Sequence, residues 1–265
     1  MILGGGITGQ IIAHYTEDTI ITDSVPEKYT GPFYLYDRPV VRNLLNELNV
    51  SFDENEIRVG YEYNGKLYEE PTKRMRTEYS KKTRGEVKNT ALSSDFKALD
   101  MSFSTLITRL EEQNHIIKTE VTTADVSAKT LNNAIDYNRL IVTIPAKQFL
   151  DIERRKYKTA RFLKSKTVSL KRMPKNIEVL DEYRKFDYVY VIDENDATAR
   201  YSSKDGWQEL LGTHGEIVKN PGKIIGGHPP DLTTEDVFWA GRWGQWKDGW
   251  KAHDTIRRWK DGGPF

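Results

Sequence analysis

Gly4, Gly6 and Gly9 form a G-x-G-x-x-G array in the run Gly4-Gly5-Gly6-Ile7-Thr8-Gly9, and Asp23 follows close to the ~20-residue spacing at which a carboxylate meets a ribose. Each residue type suits one task in holding a pyrophosphate. A glycine at position 4 lets the chain turn sharply out of a strand, and one at position 6 lets backbone approach phosphate oxygens. One at position 9 lets a helix lie close on a sheet. The N–H groups of Ile7 and Thr8 would then open a helix and face the anion. A tight strand-to-helix turn that binds nothing is the competing reading of the same residues.

These residues need a particular scaffold. Met1-Ile2-Leu3 is a short apolar strand, Ile7 to Thr16 a helical stretch, and Thr19 to Thr22 a second apolar run ending on Asp23. Strand, glycine turn, helix, strand and acid is the order of a dinucleotide-binding βαβ unit. A near-continuous apolar run at Leu140–Ile144, stopped by Pro145, reads as a strand buried on both faces that returns to the same sheet.

Composition narrows the classes. The chain has 265 residues, 30% of them charged, and a formal net charge of +1. Broad nucleic-acid or membrane-surface attraction is therefore disfavoured. Cysteine is absent, which removes disulfides, thiolate catalysis and cysteine-ligated metals. The five histidines, His14, His115, His214, His228 and His253, are scattered without metal spacing, so no metal is expected. With the first strand at Met1 and no apolar run of spanning length, a soluble cytoplasmic protein without a leader is expected.

Further along, Asp37 reads as the cap of a helix with Pro39 in its first turn and Val40, Leu44, Leu45 and Leu48 on one face. Asn64-Gly65 between alternating segments predicts an antiparallel hairpin. Pro71–Asn89 is basic and poorly periodic, and reads as a solvated loop or as a cover over an anionic ligand. A helix is expected from Ser94 to about Gln113 with Phe96, Leu99, Phe103, Ile107 and Leu110 on one face, and short strands within Val121–Ile135. Glu153–Arg172 is a second basic stretch. Tyr188–Ile192 and Thr198–Ser202 suggest another hairpin, and Gly212–Pro230 a loop with a strand or two. Near the end, Val237-Phe-Trp-Ala-Gly-Arg-Trp-Gly-Gln-Trp246 runs from a strand into an aromatic turn, followed by a helix with Ala252, Ile256 and Trp259 at i, i+4, i+7.

Arg242, directly after Gly241, places a forked cation beside a close backbone approach, which suits a phosphate or an electron-rich ring. The tryptophans around it could wall a ligand or simply pack. His228, in a Gly/Pro loop, could be held over a pocket. Lys247 and Arg200 could orient a polar substrate. The two basic stretches admit a substrate that carries phosphate.

Three motifs in register, ILGGGITG at the start, LIVTIPA at Leu140–Ala146 and VFWAGRWGQW at Val237–Trp246, resemble those of the FAD-dependent amine-oxidase-like flavoproteins, the group that includes protoporphyrinogen oxidase and UDP-galactopyranose mutase. The resemblance implies an α/β fold: a Rossmann-like FAD-binding domain with a small inserted antiparallel β (α+β) substrate domain. It places the FAD-binding domain at 1–56 with 115–150 and 231–265, and the substrate or cap region at 57–114 with 151–230. It implies FAD as cofactor, with Gly4, Gly6, Ile7, Thr8 and Gly9 at the pyrophosphate and Asp23 at the adenosine ribose. Thr143 and Pro145 would lie where the sheet passes the dinucleotide, and Gly241 and Arg242 near the pyrophosphate and flavin. The chain departs from the pattern in carrying Asp23 where glutamate is usual, in having only Gly31 within Lys28–Phe33, in its short length, and in placing Trp243 and Trp246 where the mutase has tyrosines.

Three functions follow as expectations. The first is an FAD-dependent oxidoreductase acting on a C–N or C–C bond of a small polar substrate, amine- or phosphate-bearing among the options. The second is a mutase-like flavin-dependent isomerase of a nucleotide-sugar. The third is a non-catalytic dinucleotide-binding protein. The catalytic candidates are His228, Arg242, Trp243, Lys247 and Arg200; the expected partner is a small molecule, nucleotide-linked among the options, with nucleic acid open but not favoured and no membrane expected.

Overall fold

The computed structural model describes residues 1–25, 34–57, 59–64, 66–82, 95–154, 161–168, 176–179, 186–191, 218–226, 236–245 and 250–263. Its organising element is a five-stranded parallel sheet built from β1 (Ile2–Leu3), β2 (Ile20–Thr22), β8 (Ile116–Lys118), β12 (Leu140–Val142) and β17 (Val237–Trp239). The order across the sheet is β17-β12-β1-β2-β8. The chain first moves outward from β1 to β2 and β8, then crosses to the other side of β1 for β12 and β17. The reversal lies between β1 and β12, and the carboxyl ends of strands at such a switch point form a crevice where dinucleotides bind.

The inner strands are apolar on both faces, as a covered parallel sheet demands. Ile2, Ile20 and Ile141 face helix α1 (Ile7–Thr16) and helix α7 (Ala252–Lys260), packing with Ile12, Ala13 and Trp259. Leu3, Ile21 and Val142 face the other way, onto helix α5 (Ala146–Ile152) and a small meander of β9 (Ala124–Asp125), β10 (Thr130–Leu131) and β11 (Ile135–Asp136). Asn132 and Asn133 take left-handed backbone in the last turn of that meander, as the Asn pair suggested.

Outside α1 lies a second layer. Helix α2 (Pro39–Glu47) and helix α4 (Phe103–Gln113) share a core with Ile11 and Ile256, closed by the antiparallel sheet β3 (Tyr34–Tyr36), β7 (Phe96–Met101) and β4 (Phe52–Ile57). The carboxyl ends of α1, α2 and α7 meet at Glu47. Its carboxylate accepts Lys260 Nζ at 2.7 Å and Tyr15 Oη at 3.4 Å. His14 Nε2 stands 3.8 Å away. Burial pushes the Glu47 carboxyl up, but the Lys260 ammonium outweighs it and holds it below its ordinary range.

Several local expectations change. The helix expected from Ser94 is instead strand β7 followed by α4, with Ser102 as the cap whose Oγ accepts Thr105 N at 3.2 Å. Residues 96–101 alternate between two buried faces, with Leu99 and Met101 on one and Ala98 on the other, and that period-two pattern was read as part of a helical stripe. Asp37 does not cap α2, whose N-cap is Arg38; its carboxylate binds the Arg42 guanidinium at 2.6 and 2.7 Å. The basic stretch after Pro71 holds helix α3 (Lys73–Lys82). Only Met75 and Tyr79 carry its apolar signal; they pack on Val59, Tyr61 and Tyr63 while Lys73, Arg74, Arg76 and Lys81 stay exposed.

The hairpin around Asn64-Gly65 is present as β5 (Val59–Tyr63) and β6 (Lys66–Tyr68). It joins β13 (Arg161–Val168), β14 (Asn176–Val179), β15 (Phe186–Val191) and β16 (Val218–Gly226) in a six-stranded sheet ordered β16-β13-β15-β14-β5-β6. This sheet is mixed rather than antiparallel: β13–β15 and β14–β5 pair in parallel, because β14 and β15 form a hairpin inserted between strands of other origin. Thr198–Ser202 lies outside the described residues. Among the described residues no helix is long and apolar enough to cross a membrane.

Candidate dinucleotide site

The crevice at the switch point is assembled from glycines and the groups that stand where their side chains would be. Gly4 leaves β1 with φ +118°, a conformation side chains resist, and a Cβ there would lie 2.5 Å from Thr143 Oγ1. Thr143 follows β12 directly. Its hydroxyl donates to the carbonyl oxygens of Leu3 at 3.0 Å and Gly4 at 3.1 Å, and its N–H bonds Leu3 O at 3.0 Å. The same hydroxyl would be 3.1 Å from a Cβ on Gly9. Gly9 also faces the Gly4 carbonyl so closely that any side chain would collide with it. The first turn of α1 is therefore pressed onto the end of β1, with Thr143 wedged beside both.

Gly5 is enclosed in the same manner. A Cβ on it would meet Thr22 Cγ2 at 2.8 Å and Ser24 O at 3.1 Å, and Thr22 Oγ1 donates to that carbonyl at 2.6 Å. Gly6 differs. It is exposed, its φ is −70°, and among the described residues nothing lies within 4 Å of where its Cβ would project. It caps α1 without any side-chain hydrogen bond to the first-turn N–H groups. Packing accounts for Gly4, Gly5 and Gly9, whereas Gly6 stands at the N-cap, where glycine is favoured over alanine. A helix end of this kind favours an anion.

Asp23 is exposed one residue beyond β2, with Ser24 Oγ donating to its Oδ1 at 3.3 Å. It stands at the carboxyl end of the strand next to β1, where an acceptor for ribose hydroxyls belongs. Pro145 is exposed and caps α5.

The other chain end reaches the same place. After β17, Ala240 N–H donates to Val142 O at 2.9 Å, and a single helical turn, α6 (Gly241–Gly244), follows. Gly241 has φ +74°, and a Cβ on it would lie 2.9 Å from Thr8 Cγ2; one on Gly244 would lie 2.8 Å from Val142 O. The structure thus brings together Gly4, Gly6, Ile7, Thr8, Gly9, Thr143 and Gly241 at the carboxyl ends of β1 and β12, with Arg242 half-buried in the turn behind Gly241.

His228, Lys247 and Arg200 lie outside the described residues, as does the side chain of Trp243. Trp239 packs edge-on against Phe149 at 5.4 Å, and Trp250 donates Nε1–H to Thr255 Oγ1 at 2.9 Å, so both serve packing. His115 Nδ1 meets Thr19 Oγ1 at 3.1 Å at the amino end of the sheet. His253 sits edge-on to Tyr36 at 5.7 Å, where burial lowers its pKa. Among the described residues no cluster of three metal-ligating side chains forms. A cleft of about 440 Å³ lined by His14, Glu17, Asp18, Asn114 and His115 opens at the opposite, amino end of the strands and takes no part in the crevice. Sequence reasoning missed the role of Thr22, whose only signal is a hydroxyl residue ending the strand beside a glycine turn.

No family model and no curated protein matches the chain. Solved structures do. Putrescine oxidase bound to putrescine is 10% identical, with a TM-score of 0.55 over 98% of this chain and 96% of that one. Reduced UDP-galactopyranose mutase is 10% identical, with a TM-score of 0.52 over 98% of this chain and 91% of that one. L-proline dehydrogenase from P. horikoshii is 10% identical, with a TM-score of 0.52 over 97% of this chain and 90% of that one. At such identities the likeness shows the fold alone.

Proposed function

We propose that the chain binds FAD across the β1–β12 crevice and works as a flavin-dependent oxidoreductase on a C–N or C–C bond of a small polar substrate. One observation carries the reading: Gly6, clear of every described residue, caps a helix N-terminus with no side-chain hydrogen bond at the switch point of the sheet. The similarity to a putrescine oxidase and a proline dehydrogenase supports redox chemistry at C–N bonds in particular.

When bound, the flavin would supply the hydride acceptor, and the protein would supply position and environment. Ile7 and Thr8 N–H groups would hold pyrophosphate oxygens, and Gly6 would let them approach. The Asp23 carboxylate would accept from ribose hydroxyls. Arg242, held behind Gly241, would present a fixed positive charge to the phosphate or to the electron-rich part of the ring system. The six-stranded sheet is the candidate substrate side, and the exposed bases of α3 leave a phosphate-bearing substrate open.

The deciding measurement is the absorption spectrum of the purified protein, or of the ligand-free protein reconstituted with FAD. A flavin spectrum with FAD released on heating is expected. Protein that stays colourless after reconstitution defeats this reading and leaves a non-catalytic nucleotide-binding protein. The similarity to UDP-galactopyranose mutase supports a second reading, a redox-neutral isomerase. Turnover that needs reduced flavin and consumes no electron acceptor would select it.

A further inference from the structure

Three glycines of the crevice each face a threonine that occupies the space of the missing side chain: Gly4 faces Thr143, Gly5 faces Thr22 and Gly241 faces Thr8. The first two pairs hold the glycine turn to its own sheet. The third joins the opening turn to a segment from the far end of the chain. A Cβ on Gly241 would lie 2.9 Å from Thr8 Cγ2, 3.0 Å from Thr8 Oγ1 and 3.3 Å from Thr8 Cβ. The α6 turn therefore rests on two seats. One is the Val142 carbonyl, bonded by Ala240 N–H and lying against Gly244; the other is the Thr8 side chain under Gly241. The first fixes the turn to β12. The second sets its height over the N-terminus of α1, and with it the place of Arg242.

We infer that Thr8 is a positioning residue: its side chain seats Gly241 and so places Arg242 over the cofactor, while only its backbone N–H faces the pyrophosphate. The inference rests on the dinucleotide reading for its ligand but makes a separate claim about the protein. It predicts that the bulk of the Thr8 side chain matters and its hydroxyl does not. It also predicts that the cost of a side chain at position 241 depends on what stands at position 8.

The test uses the full chain with Thr8→Ala, Thr8→Val, Gly241→Ala and the Thr8→Ala/Gly241→Ala pair. FAD affinity is read by fluorescence titration and the melting temperature is read without ligand. Thr8→Val, which keeps both branches, is expected to bind FAD within about threefold of the parent, and Thr8→Ala roughly tenfold more weakly. Gly241→Ala is expected to lose tenfold or more, part of it from the strain of a side chain at φ +74° and part from the contact with Thr8, and the paired variant to regain at least threefold because Thr8 Cγ2 and Oγ1 are gone. A Thr8→Val as weak as Thr8→Ala would mean the hydroxyl itself is a ligand and overturns the inference. So would a paired variant no better than Gly241→Ala alone. If Gly241→Ala does not fold, the Val-against-Ala comparison decides by itself. If the parent binds no FAD, the flavin reading falls. The ligand-free melting temperatures then decide whether positions 8 and 241 are coupled; additive shifts overturn the seat, and recovery in the paired variant upholds it.

Discussion

At the scale of single residues, the glycines divide into three packed against the described residues around them and one, Gly6, that stands exposed at the N-cap of α1. Gly9→Ala would drive a methyl into the Gly4 carbonyl. Overpacking of this kind costs ~1–3 kcal/mol, and a rigid backbone neighbour puts Gly9 at the upper end. Urea unfolding of ligand-free protein should show that loss. Gly6→Ala meets nothing within 4 Å and has an ordinary φ of −70°. Its cost in ligand-free stability should stay within ~1 kcal/mol, the scale of an N-cap change. Its FAD affinity should nevertheless fall by about a hundredfold or more, through loss of phosphate hydrogen bonds worth ~1.5–3 kcal/mol each. Full FAD occupancy in Gly6→Ala would show that the open side of the turn is not the binding face. The G-x-G-x-x-G spacing was enough to read the sharp turn at Gly4 and the close helix packing at Gly9. It carried no trace of Gly5 against Thr22 or Gly241 against Thr8, because those pairs are made by tertiary approach and not by local spacing.

At the scale of elements, Arg42 shows how one side chain ties a helix to a sheet. It binds Asp37 ahead of α2 at 2.6 Å and Glu54 on β4 at 2.6 Å. Hydrogen bonds from Arg42 hold both carboxyls below their ordinary range, and the pair raises the pKa of the guanidinium. A carboxyl depressed in the folded state adds stability in full above its unfolded value, about 4, and loses it as pH falls through the lower folded value. Unfolding measured from about pH 6 down to about pH 2 should therefore show stability falling below about pH 4. Asp37→Asn should flatten part of that acid limb while leaving the slope above pH 6 unchanged; an acid limb identical to the parent's would show that the pair does not contribute. Sequence placed α2 correctly from its apolar stripe but gave Asp37 the wrong task, since a cap and an ion-pair partner look alike until the fold brings Arg42 round. The same limit explains β7. Leu99, Phe103, Ile107 and Leu110 fit a helical stripe, and only the packing of the small sheet separates Leu99 from the helix that follows.

At the scale of the whole molecule, the parallel sheet was legible at its inner strands, where apolar runs are continuous, and the last helix was legible from its i, i+4, i+7 stripe. The six-stranded sheet was legible only in its β5–β6 hairpin, because β13–β16 come from distant segments and alternate too weakly to announce their partners. Its parallel pairings depend on which hairpin inserts where. Across this architecture α7 is the element that closes the core: Ile256 packs with Ile11 and Leu44, and Trp259 with Ile2 and Ile12. Ile256→Ala should cost ~2–5 kcal/mol, read as a lower urea midpoint with an unchanged slope. A shift below about 1 kcal/mol would mean that α7 is not integral to the core. That docking also sets a clock. The α7 residues that cover Ile11 and Ile12 are made some 245 positions after them (256 less 11). At ~5–20 residues per second, the apolar flank of α1 waits on the order of ten to fifty seconds for its lid during synthesis. For that interval the nascent chain carries the glycine turn on an unfinished core, and it should be a client of holding chaperones until the ribosome has delivered α7.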